Sequence, residues 1–156
     1  FKSVIKFRNL GLKCSSLIFF NIESPLKSNK FLLTKVKNFI KFRKSQFLKL
    51  GNINAFRDLS WAPEMMKGVF YASYLPSQDI TFGSGKIFSI KNMVNFFFQI
   101  NNMNFETYVK ITKNLYRKNE KQNLIVTKFD AIRLLKKWKW KPKIYGKKLV
   151  SHLNNA

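Results

Sequence analysis

The segment FNIESP, residues 20–25, closes the short apolar run SSLIFF at 15–20 and turns it with Glu23, Ser24 and Pro25. An apolar run of that length ending in a proline turn reads as a buried strand. Further along, LGNINAFRD at 50–58 takes a second short strand, 47–50, into a Gly51-Asn52 turn, and WKWKPK at 138–143 follows a helical pattern near the end of the chain. Outward from these segments the periods alternate. Helices are expected at 1–10, closing near Gly11, and at 32–43, a basic amphipathic stretch. Another is expected at 62–71, with Ser60 as its cap and Pro63 in its first turn. A fourth opens at Ser89 and lines up Ile90, Met93, Val94 and Phe97 on one face. Thr127 and Asp130 form a capping box for the helix carrying Ala131, Leu134, Leu135 and Trp138, and a last helix spans about 146–153. With strands at 79–82 and 108–111, the chain reads as α/β.

FNIESP, LGNINAFRD and WKWKPK resemble, in order and spacing, the FNHESP, LGNLDAKRD and LGWKP elements of the GDP-mannose 4,6-dehydratases, a branch of the extended short-chain dehydrogenase/reductase family. The resemblance covers nearly the whole chain. It implies the distal half of a Rossmann-type fold plus its small substrate lobe, lacking the N-terminal dinucleotide-binding half. Residues 1–156 would then be a single domain, with a sheet remnant at about 1–60 and a substrate lobe at 61–156. Asn21, Glu23, Ser24 and Pro25 match the family pattern. Ile22 stands where the family has a cofactor-contacting His, and Leu26 and Lys27 replace an Arg pair. Tyr116, Arg117 and Glu120 resemble the family's FRPTE, with Lys118 in place of its proline. By this resemblance Asn21, Arg57 and Arg117 mark a vestigial substrate pocket. Arg57 and Asp58 read equally as fold determinants, a turn salt bridge plus a helix cap.

Chemistry in that family needs a glycine-rich strand-to-helix turn for the dinucleotide pyrophosphate and a YxxxK acid/base pair. The six glycines form neither GxxGxxG nor GxGxxG, and none of the five tyrosines is followed by a Lys four residues on. Gly83-Ser84-Gly85 reads as a surface turn. Catalytic residues and a cofactor are therefore not expected. The single Cys14 excludes an intrachain disulfide, and the single His152 lacks neighbours at ligand spacing, so no metal is expected either.

Charge sets the functional expectation. Thirty Lys and Arg face seven Asp and Glu, a formal +23, and such self-repulsion calls for a polyanion. Lys35, Lys37, Lys41, Arg43 and Lys44 decorate one helix. Lys136, Lys137, Lys139, Lys141, Lys143, Lys147 and Lys148 surround Trp138 and Trp140, a mixture suited to RNA backbones and stacked bases. The expectation is a non-catalytic structural protein of a mitochondrial ribosome, with rRNA and other ribosomal proteins as partners and no membrane span. The alternatives are one half of a split dehydratase or epimerase, completed by a separate chain carrying the missing Rossmann half, and a dehydrogenase-like accessory subunit of respiratory complex I.

Overall fold

The structure, a computed structural model, describes residues 1–116 and 130–156. Helix α1 (Lys2–Asn9) has no buried residue and ends at Gly11, whose φ of +85° reverses the chain into β1 (Ser16–Phe19). Next come β2 (Asn21–Glu23), α2 (Leu32–Phe42), β3 (Leu48–Leu50), β4 (Phe56–Arg57) and β5 (Leu59–Trp61). Then follow α3 (Ala62–Ala72), β6 (Asp79–Phe82), β7 (Phe88–Ser89), α4 (Ile90–Gln99), α5 (Phe105–Tyr108) and β8 (Val109–Ile111). Beyond residue 129 lie α6 (Asp130–Leu134) and α7 (Gly146–Asn155).

Parallel pairing runs through the chain. β1 pairs with β6, placing Leu17 beside Ile80 and Phe19 beside Phe82; β2 pairs with β5; β3 pairs with β8. Helices separate the partners in each case, as parallel strands require. β4 and β7 form a short antiparallel pair in which Arg57 opposes Phe88. The expectation of a half-fold, with a Rossmann remnant confined to its first residues, is thereby corrected. Rossmann-like parallel pairing draws on strands from residue 16 to residue 111.

Two apolar clusters hold these elements. The larger joins α2, α4 and α7, with Val94, Phe97, Phe98, Leu149 and Val150 fully buried. The face of α4 expected from its spacing is the buried one, and Ser89 caps the helix by accepting from the Asn92 amide at 3.3 Å. The smaller cluster packs β1, β6, α3 and α6 around Trp140. Trp140 meets Phe82 edge-on at 5.6 Å and donates its indole N–H to the Glu64 carbonyl at 3.0 Å. Gly68 permits that approach, since a Cβ there would lie 2.6 Å from the indole ring.

Several local expectations change. The single strand at 15–20 is two, because Phe20 breaks the run and β2 takes a different partner from β1. Ser60 does not cap α3. It is buried within β5, and Trp61 holds the cap position without a side-chain bond. α6 stops at Leu134, and a short 3₁₀ turn carries the chain to Trp138. Thr127, and with it the expected capping box, lies outside the described residues.

Candidate functional site

A cleft of about 260 Å³ opens between the FNIESP turn and LGNINAFRD. Its polar lining is Asn21, Glu23, Lys27, Asn52 and Arg57, and its apolar lining includes Phe31, Leu59, Ile90 and Leu115. Strand alternation in β2 decides which side chains reach it. Asn21 and Glu23 point to the cleft, whereas Ile22 packs against the smaller apolar cluster. The Ile22 replacement thus sits on the core side and takes nothing from the polar lining.

Lys27 is held inward. Its ammonium donates to the Ile22 carbonyl at 2.9 Å and to Glu23 Oε1 at 2.8 Å, and lies 4.0 Å from the centre of the Phe31 ring. Burial pushes the Glu23 carboxyl up, and the bond and charge from Lys27 pull it partly back. The pair stiffens the floor of the cleft. Asn21 donates its side-chain amide to the Asp58 carbonyl at 3.3 Å, tying the first segment to the second.

Asp58 is neither a helix cap nor half of a turn salt bridge with a described residue. It is 1 % exposed and accepts from the Ser84 and Gly85 amides on Oδ2, at 2.9 and 3.0 Å, and from the Ser84 and Ser60 hydroxyls on Oδ1. Burial pushes its carboxyl up, and those donors partly offset the effect. The turn expected to be a surface feature is buried at Gly83 and Ser84. Its Ser84 and Gly85 amides are committed to Asp58, so they do not fit a dinucleotide pyrophosphate.

The chain matches the family model "GDP-mannose 4,6 dehydratase" over residues 2–153. It belongs to that family. It is similar to GDP-mannose 4,6 dehydratase 1 of Arabidopsis thaliana, with 29 % identity over 144 residues, covering 90 % of this chain and 39 % of the relative. Among solved structures, RMD from Pseudomonas aeruginosa complexed with NADPH superposes with a TM-score of 0.80 at 15 % identity, over 99 % of this chain and 52 % of that one. The dTDP-glucose 4,6-dehydratase of Bacillus anthracis in complex with NAD gives 0.77 at 9 %, over 97 % and 48 %. This dehydratase-family chain spans about two fifths of that curated relative and about half of those structures.

Membership overturns the ribosomal reading, together with rRNA and ribosomal proteins as partners and the non-catalytic assignment. The family is one of enzymes, and its fold extends over nearly the whole chain rather than surviving as a degenerate remnant. Net charge misled because it reports on surfaces and not on fold. Of the basic residues singled out, Lys41, Arg43, Lys44, Lys136, Lys137, Lys139, Lys141, Lys143, Lys147 and Lys148 are exposed, and Lys35 and Lys37 are half-buried. They do not converge on the cleft. Lys35 donates to the Lys49 carbonyl at 2.7 Å, Arg43 lies over Tyr108, and Lys137 lies over Trp138. Of the three pocket residues expected from sequence, Asn21 and Arg57 line the cleft, and Arg117 lies outside the described residues. The Glu23 and Lys27 pair was missed, because i,i+4 side chains meet regularly only on a helix and residues 23–27 leave a strand through a turn. Leu115 carries no sequence signal.

One electrostatic consequence is local to α1. Arg8 donates to Asp79 Oδ1 at 2.8 Å and to the Cys14 carbonyl at 3.1 Å. The Arg8 hydrogen bond, with its charge, holds the Asp79 carboxyl below the usual aspartate range. That stabilisation is present above the ordinary aspartate pKa and is lost as pH falls through the lowered value. Glu23 and Asp58 have the opposite sign: their contribution is full at acid pH and lost as pH rises through their raised values. Acidification should therefore release α1 while the core persists. Amide chemical shifts of α1 should move to coil positions before those of α4, and Asp79→Asn should abolish that pH dependence. Simultaneous loss of both helices would refute the expectation.

Proposed function

We propose that this chain supplies the nucleotide-sugar-binding part of a dehydratase or epimerase, with Arg57 as the principal diphosphate contact. One observation carries the reading: two motif segments far apart in sequence line the same polar cleft, with Asn21 and Glu23 from the first and Asn52 and Arg57 from the second. A guanidinium suits a diphosphate because its donors form a fixed fork. The two asparagine amides offer further donors to phosphate or sugar oxygens, and Phe31, Leu59 and Ile90 shield the apolar side.

A surface for a further element lies beside β1. α1 and the segment after it expose Phe7, Leu10 and Leu12, β1 exposes Ile18, and β1 pairs with β6 alone among the described strands. Exposed apolar surface beside an open strand edge favours burial against another element.

Calorimetric titration of the chain with GDP-mannose and GDP tests the reading. Arg57→Ala should weaken both by about ten- to hundredfold, the loss of a charge-assisted contact, and Arg57→Lys should recover only part. Unchanged affinity in Arg57→Ala, or no saturable binding by the parent chain, would overturn it.

A further inference from the structure

A second cleft, of about 410 Å³, opens among β7, α4 and the start of α7. Phe88, Met93 and Tyr145 form its apolar wall, Lys143, Lys147 and Lys148 line it as well, and among the described residues no carboxylate does. From this we infer that the cleft binds a nucleoside phosphate, independently of the nucleotide-sugar cleft. Its size falls within the roughly 300–1,000 Å³ of small-ligand sites, which pair apolar walls with a few placed polar groups.

The wall offers a stacking surface. Phe88 and Tyr145 lie 5.8 Å apart with their planes 29° from parallel, and a planar base stacks on such rings. Space beside Phe88 is kept by Gly146, which has a φ of +57° and where a Cβ would fall 2.6 Å from the Phe88 ring. The segment bearing Tyr145 is pinned before any ligand arrives. The Lys143 and Ile144 amides donate to Glu64 Oε2 at 3.0 and 2.8 Å, the Trp61 amide donates to the Ile144 carbonyl, and Tyr145 bridges to Ser60. A preformed wall lowers the ordering cost of binding.

The polar half is cationic. Three lysines line the cleft beside its apolar wall, the Lys147 ammonium lies 5.1 Å from the centre of the Phe96 ring, and the nearby Glu64 Oε2 is already taken by the Lys143 and Ile144 amides. This lining favours an anion that also carries a planar apolar part. A bare phosphate satisfies only the lysines, and a neutral base only the rings. Residues of this cleft are absent from the lining of the first one; Ile90 faces the first, whereas Phe88 and Met93 face the second.

The test is equilibrium binding of GMP to the full chain, with inorganic phosphate as the comparison ligand. The double variant Lys147→Glu/Lys148→Glu should weaken GMP tenfold or more, and Tyr145→Ala roughly tenfold, with Tyr145→Phe retaining affinity. Lys136→Glu/Lys137→Glu makes the same charge change elsewhere and should leave this binding intact. Arg57→Ala should also leave it intact, which separates it from the first cleft and lets either inference fail alone. Equal weakening by the two lysine pairs would show a general positive field and overturn the proposal. So would phosphate binding as tightly as GMP, or loss of all GMP binding in Arg57→Ala. Unchanged melting temperatures of the lysine variants exclude misfolding as the cause.

Discussion

Replacing Trp140 with Ala should destabilise the chain by about 3–5 kcal/mol, the range for removing a large buried aromatic residue. Trp140 is 6 % exposed and fills the space between α3 and β6. Removal costs its contact with Phe82 and leaves a void opposite Gly68, whose lack of a side chain prevents local collapse. It also frees the Glu64 carbonyl from its indole donor. Set against a typical total of roughly 5–15 kcal/mol, that loss removes a large share of stability. Urea denaturation should show a lower midpoint, and Trp140→Phe should restore part of the packing without the hydrogen bond. A midpoint within experimental error of the parent would contradict the account.

The second large effect is at Asp58, where two substitutions should diverge. Asp58→Ala strands the buried Ser84 amide, at about 1–3 kcal/mol, and also removes the partner of the more exposed Gly85 amide. Asp58→Asn can place its carbonyl oxygen where Oδ2 accepts those amides, and turn its NH₂ toward the Ser84 and Ser60 hydroxyls, which can accept. Ser84 then keeps the Lys86 carbonyl, 3.3 Å away, as its own acceptor. The amide also avoids burying a charge. Asn should therefore cost no more than about 1 kcal/mol at neutral pH, and comparative thermal or urea melts measure the gap. Equal losses in the two variants would mean that charge, rather than hydrogen-bond satisfaction, holds the turn.

How far the sequence could be read varied with the origin of each feature. The buried face of α4 and its Ser89 cap were legible because period and cap are local. Arg57 and Asn21 were placed in the cleft through their motifs. Asp58 was not legible, because its partners lie at Ser84 and Gly85 and only the fold brings them together. Ser60 looked like a cap beside Ala62 and Pro63, but pairing with β2 and bonding to Asp58 outweighed that local preference. The charge excess was legible as a property of the exterior and misleading as a guide to partners. It lies largely on exposed positions around two clusters that retain apolar packing.

The Asp58 arrangement has a meaning beyond stability. Consecutive main-chain amides converging on one oxygen make a concavity that elsewhere recruits phosphate from solution. Here the chain carries the guest itself, as the side chain of the one residue that links β4 to β5. An internal guest is always present at unit stoichiometry and responds to neither concentration nor ionic strength. The turn at residues 83–85 is thus a receptor converted into a rivet.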